Sequence, residues 1–68
     1  MKKVSIKTEY ITLGQLLKLV GEIAQGSDAK GFLLSANISV NGENEARRGR
    51  KLRSGDQIHI NSNVYIIE

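Results

Sequence analysis

The first third of the chain alternates apolar and polar residues at helical spacing. The apolar positions Leu13, Leu16, Leu17, Val20 and Ala24 fall on one stripe of a helix. Thr12 is a favourable N-cap, and Gln15 stands three residues later, as a capping box requires. Ile11 and Leu16 hold the two positions of a hydrophobic staple. Gly26 is suited to end the helix. The pattern therefore predicts a helix that begins after Thr12 and ends near Gly26.

A second, shorter helix is predicted directly afterwards. Its apolar face consists of Ala29, Phe32, Leu33 and Ala36, at spacings of three and four. Ser27 is a candidate N-cap, and Asp28 would interact favourably with the helix dipole in the first turn. Gly31 within this segment costs about 1 kcal/mol relative to alanine. Asn37 suits the left-handed conformation that closes many helices.

Strict alternation of apolar and polar residues predicts short strands in the rest of the chain. The predicted strands cover residues 4–7, 38–40, 57–60 and 64–67. Asn41-Gly42 predicts a tight hairpin turn, because both residues tolerate a positive φ. Residues 54–56 and 61–63 predict two further turns. The expected fold class is α+β, with two helices packed on one face of a small, mostly antiparallel, twisted sheet.

The length of the chain limits what the protein can do. It has 68 residues, which predicts a single domain over residues 1–68. A chain this short buries only about 60% of the surface that it exposes when unfolded, so a deep substrate cavity is not expected. It has one histidine and no cysteine, which argues against a structural zinc site. We therefore expect a binding surface, with no cofactor, no metal and no small-molecule substrate.

No segment has the composition of a signal peptide or of a membrane span. The N-terminus is basic, with Lys2, Lys3 and Lys7, but no continuous apolar stretch follows it. A signal peptide needs about 7–15 apolar residues in its core, and a transmembrane helix needs about 20. The expectation is a cytoplasmic protein without a membrane partner.

The densest charge feature lies near the middle of the second half. Arg47, Arg48, Arg50, Lys51 and Arg53 place five cations in seven residues, while the net charge is +3 and the pI about 9.5. Repulsion among these cations is relieved by an anionic partner, and arginine forks match phosphate oxygens. This composition predicts phosphate binding. Two alternatives are a solvated loop balanced by Glu43, Glu45 and Asp56, and a nuclear-localisation signal.

Two lysines outside this segment are weaker candidates for the same role. Lys30 lies one turn into the second helix, whose N-terminal amides at Gly26-Ser27 could attract phosphate. Lys18 lies on the polar face of the first helix. The alternative is structural in both cases, because most helices begin with such a cap and most helical lysines are simply solvated.

The number of aromatic residues indicates which kind of nucleic acid the basic surface could bind. Readers of single strands stack successive bases on several exposed rings, but this chain has only Tyr10, Phe32 and Tyr65, with Phe32 expected in the core. Shape and phosphate contacts to structured RNA fit this composition better.

His59 lies between Ile58 and Ile60 and is expected to face solvent. No nucleophile with a base and an orienting group is identifiable, so we expect no enzyme.

With these elements placed, residues 12–60 resemble the RNA-binding domain named after small-subunit ribosomal protein S-four. The first helix begins with Thr12-Leu13-Gly14-Gln15-Leu16-Leu17, and the second packs through Ala29 and Phe32-Leu33. The strand and turn Ile38-Ser39-Val40-Asn41-Gly42 and the closing segment Leu52-Arg53-Ser54-Gly55-Asp56-Gln57-Ile58 complete the resemblance. The short free-standing members of the family resemble this chain closely.

The resemblance implies a positive surface that binds structured RNA, often ribosomal RNA. The family often has Arg and Asp near the start of its first helix, where this chain has Thr12 and Gly14. It also often opens its second helix with Ser-Arg, in place of Gln25-Gly26. Lys30 and the segment 47–53 must therefore supply the positive charge in this chain.

Two other classes of protein remain as alternatives. The hairpin and the Gly-Asp-Gln-Ile strand also resemble small ubiquitin-like sulfur carriers, whose activated tail is Gly-Gly. The sequence Tyr65-Ile66-Ile67-Glu68 argues against a carrier. The other alternative is a protein-interaction adaptor whose basic segment meets an acidic partner. A terminal strand left exposed could also pair with a second copy of the chain.

Overall fold

The computed structural model describes residues 1–68. The two helices are α1 (Leu13–Leu19) and α2 (Ala29–Ser35), and a 3₁₀ turn (Gly26–Asp28) leads directly into α2. The strands are β1 (Lys2–Val4), β2 (Ile11–Thr12), β3 (Ile38–Val40), β4 (Glu43–Asn44), β5 (Lys51–Leu52), β6 (Gln57–Ile60) and β7 (Asn63–Ile67).

The strands form a five-stranded sheet and a separate two-stranded ribbon. The order in the larger sheet is β1-β7-β6-β3-β4, and β1 runs parallel to β7 while all other pairs are antiparallel. The ribbon pairs β2 with β5 in antiparallel register, Ile11 opposite Leu52 and Thr12 opposite Lys51. Two helices with a mostly antiparallel sheet confirm the predicted α+β class.

The core joins the helices to the inner face of the sheet. Its fourteen members are all apolar or aromatic: Val4, Leu13, Leu16, Leu17, Ile23, Ala29, Leu33, Ile38, Val40, Leu52, Ile58, Ile60, Tyr65 and Ile67. Ile58 and Ile60 are fully buried and His59 is exposed, as the alternation predicts. The most buried aromatic residue is Tyr65, whereas Phe32, which was expected in the core, is only half-buried.

Helix α1 is shorter than the sequence pattern predicts. It ends at Leu19, because Gly21 adopts a left-handed conformation with φ of 82°. The N–H of Glu22 donates to the carbonyl of Leu17 at 2.9 Å, and that of Gly21 to the carbonyl of Lys18 at 3.2 Å, which is a Schellman motif. Ala24, expected on the helical stripe, is therefore exposed, and Ile23 is buried instead.

Three other local predictions differ from the structure. The first strand is Lys2–Val4 and not residues 4–7, since its register is set by the parallel pairing with β7. Ser27 does not cap α2; the carboxylate of Asp28 instead accepts the N–H of Gln25 at 3.2 Å. Asn37 is not left-handed, because it continues into β3 and its carbonyl accepts the N–H of Asn61 at 2.7 Å. The Asn41-Gly42 turn is confirmed, with φ of 52° and 87°.

Candidate nucleic-acid interface

The basic segment 47–53, called the basic loop from here on, is attached to the start of α1. The backbone N–H of Leu13 donates to the carbonyl of Arg50, and that of Gly14 donates to the carbonyl of Arg48, both at 2.8 Å. Leu52 is fully buried and belongs to the β2–β5 ribbon. These contacts satisfy the first free amides of α1 and hold the loop backbone in place. The side chains of the loop are thus presented from a fixed backbone.

A single carboxylate organises the first half of the basic loop. The side chain of Glu45 is only 6% exposed and accepts the backbone N–H groups of Ala46 and Arg47 at 3.1 Å. It also accepts Nε and Nη2 of Arg47 at 3.0 Å and Nη1 of Arg50 at 2.9 Å. The hydrogen bond from the Arg47 side chain is the main reason that the pKa of Glu45 falls from 4.5 to about 2. Burial opposes this fall in the pKa but does not prevent it.

This carboxylate divides the five cations of the basic loop into two classes. Arg47 and Arg50 are paired with Glu45, although the Arg47 side chain remains 76% exposed and Arg50 is 32% exposed. Arg48, Lys51 and Arg53 are exposed and have no carboxylate within 4.0 Å. The alternative of a loop neutralised by Glu43, Glu45 and Asp56 therefore holds only for Arg47 and Arg50. Asp56 is engaged with the side-chain amide of Asn41 and the backbone N–H of Arg53.

Two shallow hollows border the basic loop and meet at Gly49. The first, of about 690 Å³, is lined without any apolar residue by Arg47, Gly49, Arg50, Lys51, Arg53 and Asp56. The second, of about 510 Å³, lies between the loop and the helices and is lined by Thr12, Gly14, Gln15, Lys18, Gly26, Ala29, Arg48 and Gly49. Open, cationic hollows of this kind suit phosphate groups and not an enclosed small molecule.

Of the seven cationic residues that the sequence predicts as phosphate contacts, the structure brings six together around the two hollows. Lys18 lies beside Arg48 in the second hollow, although they are thirty residues apart in the chain. Lys30 is exposed on α2 but lines neither of these hollows. Gly26, at the start of the 3₁₀ turn, does reach the second hollow. The N-terminal end of α2 therefore borders the cationic surface around the basic loop but does not form the centre of that surface.

Tyr10 belongs to this surface, and sequence reasoning did not identify it. Its ring centroid lies 5.0 Å from Nζ of Lys51 and 5.5 Å from Cζ of Arg53. Both distances are within the range of a cation–π interaction. The contact depends on the two-residue strands β2 and β5, which are too short to show alternation in the sequence. No pattern in the chain predicts that residues 10 and 53 are neighbours.

Gly14 permits the close approach of the basic loop to α1. A Cβ atom at this position would lie 3.3 Å from the carbonyl oxygen of Arg48, which is tighter than ordinary van der Waals contact. The same carbonyl accepts the Gly14 N–H, so the loop cannot withdraw without losing that hydrogen bond. The position of the basic loop therefore accounts for a glycine at this point of α1.

The two helical glycines are expected to respond differently to alanine. Gly31→Ala should stabilise the protein by about 0.5–1 kcal/mol, because a Cβ there meets nothing within 4 Å and alanine favours the helix. Gly14→Ala should lose most or all of that gain through its contact with Arg48. Urea denaturation of both variants measures the difference. An equal gain at the two positions would show that the loop is free to move away.

The structure has neither a cluster of metal-ligating side chains nor a membrane-spanning helix. It contains no group of three or more His, Cys, Asp and Glu side chains placed to hold a metal ion. None of the helices has the length and apolar character that crossing a membrane requires.

Comparison with known proteins identifies the family. The sequence model of the S4 domain matches residues 4–68. The probable ribosome maturation protein RlbA of Bacillus subtilis (strain 168) is 53% identical to this chain over 57 residues, which are 84% of this chain and 80% of that protein. The S4 domain match, over residues 4–68, includes the start of α1, the basic loop and the strands that hold it. The chain therefore belongs to the S4 domain family.

Proposed function

We propose that this protein binds structured RNA, without catalysing a reaction, by placing phosphate groups on the basic loop. The observation that carries the proposal is the set of three exposed cations, Arg48, Lys51 and Arg53, that have no carboxylate partner and project from a backbone fixed to α1. Uncompensated cations around polar hollows attract a polyanion. Membership of the S4 domain family supports RNA as that polyanion.

The remaining cations extend the proposed contact surface. Arg47 and Arg50 retain donors beyond those that Glu45 uses, since a guanidinium has five N–H groups. Lys18 adds a charge to the second hollow, and Lys30 adds one along α2. The N-terminal end of α2, with Gly26 in the second hollow, is included in the proposed surface as a secondary phosphate contact.

Ribosomal RNA is the structured RNA that we propose as the target. The relative from Bacillus subtilis is described as a ribosome maturation protein, which supports a role during ribosome assembly. The proposed place of action is accordingly the cytoplasm. The proposed unit of function is the whole of residues 1–68, because the basic loop is held by α1 and β2 near one end of the chain and by Asp56, just before β6, near the other.

The proposal is tested by comparing three ligands of equal length: a ribosomal RNA hairpin, a single-stranded RNA and a duplex DNA. Binding to each is measured by fluorescence anisotropy from 50 to 400 mM salt. We expect the hairpin to bind most tightly, with log K falling linearly against log salt at a slope of roughly −3 to −5, since four to six phosphates contribute about 0.7–0.9 each.

Equal and weak binding to all three ligands would overturn the proposal. Capture of an acidic protein from a cell extract in a manner insensitive to ribonuclease would instead favour the adaptor alternative. Bound protein that is released by ribonuclease supports the RNA-binding function.

A further inference from the structure

One face of the β2–β5 ribbon is turned away from the core. Ile11 pairs with Leu52, and both side chains pack on the core. Thr12 pairs with Lys51, and the same antiparallel register continued by one step places Tyr10 beside Arg53. Alternation along both strands therefore puts Tyr10, Lys51 and Arg53 together on the outer face. The distances of 5.0 Å and 5.5 Å from the two cations to the tyrosine ring agree with this placement.

Tyr10 has no partner in the core and no hydrogen bond that explains an aromatic residue there; only the two exposed cations Lys51 and Arg53 approach its ring. The residue is 38% exposed and is not among the residues that form or cover the core. Its hydroxyl group makes no hydrogen bond within the protein; only its backbone carbonyl is used, by the hydroxyl of Thr8. Tyr65, by contrast, is buried and its hydroxyl donates to Glu22 at 3.3 Å. Tyr10 is thus the one tyrosine whose ring is available to a ligand.

We infer that Tyr10 is a stacking site for one unpaired base of the bound RNA. Aromatic rings stack on bases without regard to sequence, and a stacked base contributes more than a cation resting on an exposed ring. The base therefore displaces Lys51 or Arg53 from the ring, and the displaced cation becomes free to contact a phosphate.

The surroundings of Tyr10 fit a single nucleotide. Lys51 and Arg53 also line the first hollow beside the basic loop, which has no apolar side chain in its lining. When a base stacks on the ring, these two cations lie next to it and can bind the phosphate of the same nucleotide. Only one ring is present at this position, so the site takes one base and not a run of single-stranded bases.

The inference refines the class of RNA that the protein binds, and it rests on the proposed function. The ligand is a helical RNA interrupted by a bulged nucleotide, and not a continuous duplex. Within a duplex each base is already stacked on its neighbours, so its face is not available to Tyr10. The phosphate contacts and the stacking contact thus select a junction between paired and unpaired RNA.

The test uses two RNA hairpins that differ by one nucleotide. The first is fully paired in its stem, and the second has a single bulged 2-aminopurine, whose fluorescence reports stacking. Each is titrated with the natural protein, with Tyr10→Phe and with Tyr10→Leu at several salt concentrations. Tyr10→Phe is the matched control, because it keeps the ring and removes a hydroxyl that makes no hydrogen bond. Circular dichroism confirms that each variant is folded.

We expect Tyr10→Leu to weaken binding of the bulged hairpin about 10-fold and to abolish its change in fluorescence. Binding of the paired hairpin and the slope of log K against log salt should not change with this variant. Tyr10→Phe should behave as the natural protein. Equal binding of the bulged hairpin by the natural protein and by Tyr10→Leu would overturn the stacking site alone. If the natural protein shows no salt-dependent binding to either hairpin, the proposed function and the stacking site are both wrong.

Discussion

Replacement of Arg48, Lys51 and Arg53 by alanine is expected to weaken RNA binding about 100-fold at 0.1 M salt and to leave the fold intact. Each lost phosphate contact removes about 0.7–0.9 from the slope of log K against log salt, so the slope should become shallower by about 2–3. The fold should tolerate the change because the three side chains are exposed and make no ion pair. A salt series with the ribosomal RNA hairpin measures both quantities.

A variant with the same change in net charge is the control for this experiment. Lys2, Lys3 and Lys7 are exposed, and Lys2 and Lys3 lie in β1, at the opposite edge of the five-stranded sheet from β4 and the start of the basic loop. Replacing all three with alanine lowers the net charge from +3 to 0, as the first variant does. The two variants should differ in slope by about two or more. Equal slopes would show that total charge and not the basic loop determines binding.

The start of α1 and the Asn41-Gly42 turn were predictable because their determinants are local. The capping box of Thr12 and Gln15 is present in the structure, with hydrogen bonds of 3.2 Å and 2.8 Å in its two directions. Such features need only residues within one turn of each other. The end of α1 was not predicted, because its determinant is not local. Gly21 and Gly26 are both suitable helix terminators, and the choice between them depends on the burial of Ile23 by the rest of the fold.

The parts of the candidate site that sequence reasoning missed depend on contacts across the fold. The sequence shows five cations in a row of seven residues, but it does not show that Glu45 neutralises two of them. In the sequence, Glu45 resembles a solvated hairpin residue. In the structure, its carboxylate is almost fully buried and accepts hydrogen bonds from the basic loop. In the same way, Tyr10 lies forty or more residues from Lys51 and Arg53 along the chain. Residue types were therefore enough to predict a cationic segment as the candidate site, whereas the pairing of its side chains depends on the folded backbone.

Glu45→Gln is expected to destabilise the protein by about 2 kcal/mol at pH 7. The full fall in the pKa of Glu45 from 4.5 to about 2 corresponds to about 3 kcal/mol, and the exposure of the Arg47 side chain to solvent reduces the effect. Glutamine keeps the size of the side chain but loses the charge that strengthens the hydrogen bonds from Arg47 and Arg50. Urea denaturation at pH 7 measures the loss.

The pH dependence separates this effect from a change in packing. Because the pKa of Glu45 is lower in the folded state than in the unfolded state, its contribution is fully present above pH 4.5 and is lost as the pH falls toward 2. The other carboxylates titrate in both proteins, so the difference in stability between the natural protein and Glu45→Gln isolates this group. We expect that difference to be constant from pH 7 to pH 5 and to have shrunk by more than half at pH 3. A difference that does not change with pH would assign the loss to packing.

The same variant distinguishes loop order from loop charge in RNA binding. Glu45→Gln raises the net charge from +3 to +4 and frees Arg47 and Arg50, so charge alone predicts tighter binding to every RNA and a steeper salt slope. If recognition of the hairpin requires an ordered loop, the result should be different. Single-stranded RNA should then bind more tightly, while the preference for the hairpin should fall. We expect the second result, because Glu45 holds two backbone N–H groups of the loop as well as two guanidinium groups. An equal gain in affinity for both RNAs would show that the carboxylate only attenuates the charge of the surface.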